Sequence, residues 1–525
     1  ITLYNKDAML TITTDVLVIG AGAAGIRAAL AACEAGVDVV MVAKAPPTEG
    51  GSTFSPVSKG WGIQALMGDE RTEENLEAFY DDIILVGLGR CDPKLVRILV
   101  EESGPRLKDL ISYGLRFRKD ANGRHVRARG CFSDHKRAFL TESAPNIGDT
   151  FKRMLKRGGV KTVTGGVIDL SIAEGTCWGV WVLTENNDVI QIEARATVLA
   201  SGGGAGIYDD HLVSDDLVGD GYALAYRAGA ELTNLEFIQF MLGLKSGATR
   251  QFLALSRLGV DGVLEDTQGR NVLEVSYHDA EMLAKAVEER KTHFPFSCRN
   301  RSLLVDIAVA AEQRHGRCVR WTHGSGSEPS ERPEVVHFAH AFNGGVVIDD
   351  KAESTVRGLF AAGEVAAGPH GADRIGGCMM TATQVFGDRA GRFAAGRSEE
   401  LRGKRIPEIP MPEYLENIEM EGGRGGVETL SDIEWKLKKT MTEYVCVLRT
   451  DEGLIHAQRR LRGLEKDLHA SIAVGESCSP KCFKLTDIFQ TAKLVTEAAR
   501  LRKRSLGSHY REDSPPTHSP SFPST

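Results

Sequence analysis

Residues 15–20, DVLVIG, form an unbroken apolar run that ends on a glycine, and AALAACEAG at 28–36 follows with helix-forming alanines and a glycine stop. That order predicts a strand, a tight turn and a helix. VDVVMVAK at 37–44 predicts the next strand and completes a βαβ unit of about 30 residues. Two later stretches repeat the first pattern: ARATVLASGGG at 194–204 and VRGLFAAGEVAAG at 356–368. Both read as buried strands of the same sheet that end at a ligand.

Between about 237 and 340 the texture changes to short mixed elements and the polar loop HGSGSEPSERPE at 323–334, which suggests an inserted second domain. Pro407, Pro410 and Pro412 mark a linker. Helices are predicted beyond it. Ser431 with Glu434 reads as a capping box, Ile433, Leu437, Met441, Tyr444 and Leu448 share one helical face, and Leu454, Leu461, Leu464 and Leu468 mark a second stripe. These stripes suit a bundle core better than a cofactor site. The end, SPPTHSPSFPST, is rich in proline and serine and reads as disordered. No internal repeat is visible.

Length and charge narrow the function. At 525 residues two or three domains are expected. A formal charge of −7 leaves no basic stripe for a phosphate backbone, so nucleic acid is excluded as a partner. The start, ITLYNKDAMLTITT, has no basic segment leading into an apolar one, and no run of about 18 apolar residues occurs, so no signal peptide and no direct membrane insertion are expected. Ten cysteines show no CxxC spacing, which argues against a built-in metal cluster; Cys478 and Cys482 read as a loop with two ordinary thiols. Reduced thiols point to the cytoplasm.

Gly20, Ala21, Gly22, Ala23, Ala24 and Gly25 give GxGxxG between the first strand and helix. The first glycine permits the turn, the second lets the backbone approach a pyrophosphate, and the third allows close helix–strand packing. NAD and FAD both use such a turn, with an acid normally holding the ribose at the end of the second strand. Ala43 and Lys44 stand there instead, which argues against ordinary NAD binding.

The discriminator is a set of segments in order: VAKAPPTEGGSTF at 42–54, VLASGGGAGIY at 198–208, GDGYALAYRAGAEL at 219–232, GLFAAGE at 358–364, HGADRIGG at 370–377 and SLGSHYREDSP at 505–515. Together they resemble the fumarate reductase, succinate dehydrogenase and L-aspartate oxidase flavoprotein family along nearly the whole chain. The resemblance implies an α/β fold: a Rossmann-like FAD-binding domain from 1–236 and 341–398, an inserted α+β capping domain at 237–340, a C-terminal helical domain at 413–510, and a disordered tail at 511–525. It places Ala21, Ala24, Lys44, Ser52, Thr53, Gly60, Val167, Asp220, Glu364 and Gly377 around FAD, beside the glycines of the turn. Members of the family that bind FAD covalently do so through a histidine where Ser52 stands here, so a non-covalent flavin is implied. Glu364, following an apolar strand, needs hydrogen bonds to be stable there, which ribityl hydroxyls would supply; a helix N-terminal acid is the plainer alternative.

On the substrate side, the resemblance assigns Arg374 to clamping a carboxylate, where a planar guanidinium makes two parallel bonds. His340, before the paired glycines of HAFNGG, matches the substrate-binding histidine, while His337 reads as structural. Two other family groups are missing. QFHPT becomes QFMLG at 239–243, and the threonine, glutamate and proton-shuttling arginine of TEGCRGEGG align with Ala254, Leu255 and Leu258. Arg257 stands next to that place and is the candidate replacement, with Arg250 more remote; a solvated surface charge is the plainer role for both. Cys378, Met379 and Ala382 alter the usual flavin surroundings. Half of a dicarboxylate clamp is kept, which suggests a substrate with one anionic group at Arg374 and His340 and a less polar remainder facing Met241, Ala254 and Leu255. Succinate and fumarate should then bind poorly.

Three functional readings stay open. The first is an FAD-dependent dehydrogenase or reductase moving hydride between flavin N5 and a small organic acid; its partner would be a separate iron–sulfur electron-transfer subunit, which could hold it at a membrane surface. The second is a soluble L-aspartate-oxidase-like enzyme that uses oxygen. The third is a flavin-bearing electron-transfer or assembly protein without substrate catalysis.

Overall fold

The computed structural model describes residues 10–54, 61–186, 188–323, 332–412, 429–473 and 480–516. Its first strand, Thr11–Ile19, is fully apolar from Val16 onward because it has neighbours on both edges and both faces. Val39–Ala43 lies parallel on one side, with Val16 opposite Val39, and Val189–Leu199 lies parallel on the other, with Ile19 opposite Leu199. Leu359–Ala361 adds on beyond Val189–Leu199, also parallel. The two late apolar runs of the sequence therefore join the sheet of the first strand, although about 160 residues separate them. Lys161–Ala173 pairs parallel with Val39–Ala43 and continues as an antiparallel meander through Thr176–Thr184.

Helix Ala23–Glu34 is buried nearly all round, since the long helix Cys378–Glu400 covers the side that the sheet does not. The two cross closely. A Cβ on Gly387 would lie 2.7 Å from the Ala24 carbonyl oxygen, and one on Gly391 would lie 2.1 Å from that of Ala28. Arg27, buried at the crossing, donates to Asp388 at 2.5 Å.

The inserted region holds a five-stranded antiparallel sheet in the order Thr249–Phe252, Ile238–Ser246, Glu334–Phe342, Arg320–His323, Gly262–Glu265. Beneath it Arg290 pairs with Asp306 at 2.6 Å, and His337 reaches the same carboxylate at 3.3 Å, so His337 sits in the core of this region.

Three helices follow, Leu430–Tyr444, Asp451–Ala473 and Pro480–Leu501. Ile433, Leu437 and Met441 of the first and Leu454, Leu461, Leu464 and Leu468 of the second are buried, while Tyr444 is only half-buried and Leu448 lies past the helix end. The capping box falls two residues earlier than predicted. Thr429 caps the first helix and exchanges bonds with Asp432 at 3.2 and 3.3 Å, leaving Ser431 to Lys481 and Glu434 to Lys438. The competing S-x-x-E and T-x-x-D patterns overlap by two residues, and sequence alone did not rank them. Cys482 is buried on the third helix, not in a loop; Cys478 lies outside the described residues. The predicted disordered tail also needs correcting at its start. Arg511 is buried and pairs with Asp513 at 2.6 Å, and Ser505 Oγ donates to the Ser514 carbonyl at 2.7 Å, so 511–516 are part of the fold. Residues 517–525 and most of the loop at 323–334 lie outside the described residues. Among those described, no helix is long and apolar enough to cross a membrane.

Candidate active site

The glycine turn is shaped by three contacts. Gly20 has φ +106°, and a Cβ there would lie 2.3 Å from the Ala200 carbonyl oxygen. One on Gly25 would lie 1.9 Å from the Gly20 carbonyl oxygen, whereas one on Gly22 would meet only Thr53 Oγ1, at 3.6 Å. Strand, turn and helix thus close on one another at the first and third glycines and stay open at the second. Helix Ala23–Glu34 has no side-chain cap from Gly22; its Ala23 N–H donates to Thr53 Oγ1 at 3.2 Å. An uncapped helix start on an open turn is a place for an anion.

That turn opens into a cavity of about 390 Å³. Gly20, Ala21, Gly22, Ala24, Ser52 and Thr53 line it, joined from other parts of the chain by Lys44, Val167, Asp220, Glu364 and Gly377. Gly25 packs beneath the turn, and Gly60 lies outside the described residues. Lys44 and Asp220 form an ion pair at 3.2 Å, and Lys44 also donates to the Asp216 carbonyl at 3.1 Å. Burial works against the lysine charge, but Asp220, with Asp216 and Asp487 farther off, outweighs it and holds the ammonium above its ordinary range. Glu364 accepts from the Phe342 N–H at 2.9 Å; burial pushes its carboxyl up to about 7 against the pull of that N–H and of Arg374.

His340 and Arg374 line the same cavity. Arg374 is only 7% exposed, donates through Nη2 to Gln239 Oε1, and leaves a buried Nε without a partner; among the described residues it forms no ion pair. Burial lowers its pKa, so the charge sits there at a cost. His340 has a buried Nδ1 without a partner, and burial, with Arg374 beside it, pushes the imidazole down to about 4. The ring is neutral at pH 7. Ser52 Oγ and Ser201 Oγ are further buried polar atoms without a partner among the described residues, on residues that line this cavity. A polar, anionic ligand fits such a surface and an apolar filling does not.

Two expectations fail here. Arg257 is not among the lining residues: it is exposed and pairs with Asp261 on its own turn at 2.5 Å, because an i,i+4 acid is a nearer partner than the cavity. Met241, Ala254 and Leu255 do not line the cavity either; Met241 packs with Leu212, Val336 and Phe338. Leu212, Val213, Leu217 and Phe252 are among the apolar residues that line the cavity instead. Phe252 was missed because its strand, TRQF, is otherwise polar and half exposed; Gln239 was missed because only its neighbour Met241 stood out in QFMLG.

The loop that carries Arg374 is tied from outside. Asp373, fully buried, accepts from Ser297 Oγ at 2.7 Å and Arg299 Nε at 3.0 Å, both in the inserted region, and Ser508 donates to the Ala372 carbonyl at 3.0 Å. Arg299→Met should leave the Asp373 carboxylate buried without a counter-charge and lower stability by ~3 kcal/mol, read as a lower thermal midpoint. Adding Asp373→Asn should restore most of it; a double variant as unstable as the single one counts against this ion pair.

The comparisons agree with this architecture. Residues 15–380 match the FAD binding domain family, and residues 434–522 match the fumarate reductase flavoprotein C-terminal family. One chain of the CoM/CoB fumarate reductase of Methanothermobacter marburgensis is 29% identical over 96% of this chain and 95% of its own. L-aspartate oxidase of Streptomyces coelicolor is also 29% identical, over 96% of this chain and 89% of its own. Among solved structures, a quinol–fumarate reductase with menaquinol molecules superposes with a TM-score of 0.77 at 22% identity, covering 96% of this chain and 93% of that one. Mycobacterium smegmatis Sdh1 in complex with UQ1 gives 0.76 at 22%, covering 97% and 90%. With a family match over more than half its length and a glycine turn, cavity and helical C-terminal region to go with it, the chain belongs to the fumarate reductase, succinate dehydrogenase and L-aspartate oxidase flavoprotein family, the FAD-dependent oxidoreductases.

Proposed function

We propose that this chain holds FAD non-covalently along the cavity and exchanges hydride between it and an organic acid whose carboxylate is gripped by Arg374 and His340. The observation that carries the reading is the buried Arg374 guanidinium, which among the described residues has one amide as its side-chain acceptor and shares a cavity with the glycine turn. A cation buried in this way is stable when an anion joins it. In the same reading the FAD-binding domain comprises 1–236 and 341–398, the cap 237–340 and the helical domain 413–510.

When bound, FAD supplies two-electron redox chemistry. Gly20, Ala21, Gly22 and the start of helix Ala23–Glu34 hold its diphosphate, and Glu364 and Asp220 take its hydroxyl side. Gln239 fixes the plane of the Arg374 guanidinium, so the carboxylate meets two N–H groups in a set direction. His340, neutral at pH 7, adds one hydrogen bond without a second charge. Arg257, held by Asp261, is not proposed as the proton carrier.

The Methanothermobacter relative is by name one subunit of its enzyme, which supports a second, electron-carrying chain as partner; an iron–sulfur protein is the class we propose. The Streptomyces relative supports the alternative of an oxidase that hands its electrons to oxygen.

The purified protein should be yellow, acid precipitation should release its FAD into the supernatant, and an anaerobic panel of mono- and dicarboxylic acids should contain one that bleaches the flavin band. Peroxide formed by the isolated chain would select the oxidase alternative. A colourless protein that takes up no FAD would overturn the reading. A panel that leaves the flavin oxidised while a partner protein exchanges electrons with it would select an electron-transfer or assembly role.

A further inference from the structure

The cavity that Arg374 and His340 line is also lined by the apolar side chains of Leu212, Val213 and Phe252. Phe252 ends the edge strand Thr249–Phe252 and, although it lines the cavity, is 42% exposed. Its ring lies 6.0 Å from that of Phe294, itself 47% exposed. Phe294 is not itself a lining residue, so the two rings form a solvent-open aromatic pair that starts at the cavity wall with Phe252 and continues outward from it.

They are held there rather than loose. The Phe294 carbonyl accepts from Arg290 Nη2 at 3.0 Å, and that arginine is locked on buried Asp306; the Phe296 N–H donates to the Phe240 carbonyl at 2.7 Å. Phe252 stands opposite Gly243, so no cross-strand side chain covers its ring, and a Cβ on Gly243 would lie 2.5 Å from Phe338.

Charge points the same way. Among the described lining residues the cations are Lys44 and Arg374, and Lys44 is already paired with Asp220. One carboxylate therefore finds a partner. A second would face Phe252 and Leu212 without one, which is costly.

We propose that Phe252 and Phe294 form the outer wall of the substrate compartment and that the substrate is a monocarboxylate bearing an aryl or extended alkyl group. This rests on the carboxylate-binding role given to Arg374 above. Hydrophobic walls of this kind discriminate by roughly tenfold or more per group they bury.

The test is a titration of the flavin absorbance of the holoprotein with acetate, succinate and 3-phenylpropanoate. We expect 3-phenylpropanoate to bind at least about tenfold tighter than acetate, and succinate no tighter than acetate. In Phe252→Ala/Phe294→Ala protein the ratio of the 3-phenylpropanoate and acetate constants should fall towards one, and in Phe252→Leu it should stay between the two; the FAD-to-protein ratio reports that each variant is folded. Equal binding of acetate and 3-phenylpropanoate by the native protein, tightest binding of succinate, or a preference that survives both alanine substitutions overturns the proposal. If none of the three acids perturbs the flavin, the Arg374 reading itself is wrong and the aromatic wall has no carboxylate to serve.

Discussion

In Arg374→Met protein the flavin remains bound and the organic acid no longer reduces it, with kcat/KM down by about 10³-fold, as expected when one partner of a buried charged pair is truncated. The guanidinium is the one cation among the described lining residues without an ion-pair partner, since Lys44 is paired with Asp220. Its loss removes two directed hydrogen bonds and the counter-charge together. The unliganded protein should respond in the opposite sense. Burial already depresses the Arg374 pKa, so an apolar side chain of similar length relieves a cost, and the thermal midpoint should stay level or rise. Steady-state kinetics with the reducing acid, alongside a melt of the same preparation, separates the two effects. A large fall in midpoint with kcat/KM little changed would show that the guanidinium holds the loop in place rather than the substrate.

The second large effect is on the flavin. Gly22→Ala should fold as the native protein does, because a Cβ there meets nothing nearer than Thr53 Oγ1 at 3.6 Å, yet it enters the space assigned to the diphosphate. We expect its FAD dissociation constant to rise by ~100-fold, equivalent to about 2.7 kcal/mol. Gly25→Ala fails for a different reason. Its Cβ would lie 1.9 Å from the Gly20 carbonyl oxygen, so helix and strand must part and both flavin content and thermal midpoint should fall. Equilibrium dialysis of FAD with a parallel melt reads both quantities. Native-like affinity in Gly22→Ala would place the diphosphate elsewhere, whatever Gly25→Ala does.

The contrast between those two glycines shows how far a sequence speaks for a site. GxGxxG between an apolar strand and a helix predicted which glycine would turn and which would pack; Gly25 meets Gly20 within the motif, whereas the close approach of Gly20 to Ala200 comes from the neighbouring strand of the sheet. The parallel sheet was legible for a related reason. Strands buried on both faces are apolar throughout, so Val16–Ile19, Val39–Val42, Ala196–Leu199 and Leu359–Ala361 announce themselves. The meander strands Lys161–Ala173 and Thr176–Thr184, with mixed burial along their length, did not.

Side-chain destinations were decided only in three dimensions. Arg257 looked like a replacement for a missing proton carrier because it is adjacent in sequence, but a short turn brings Asp261 within 2.5 Å and keeps it at the surface. Met241, Ala254 and Leu255 were expected to face the substrate; the alternation of strand Ile238–Ser246 sends Met241 to Val336 and Phe338, and it is Phe252 that lines the cavity. Arg511, taken for part of a loose tail, is buried and meets not only its neighbour Asp513 but also Asp451, 60 residues earlier, a contact that local composition does not reveal. Alone, the sequence determined the first strand, the glycine turn and the helix after it, since turns and buried strands obey local rules of conformation and hydrophobic spacing. Which cations stay unpaired and which rings face the cavity depended on residues far apart in the chain, such as Arg374 and Gln239 or Phe252 and Phe294, and only the assembled fold brings those residues within reach of one another.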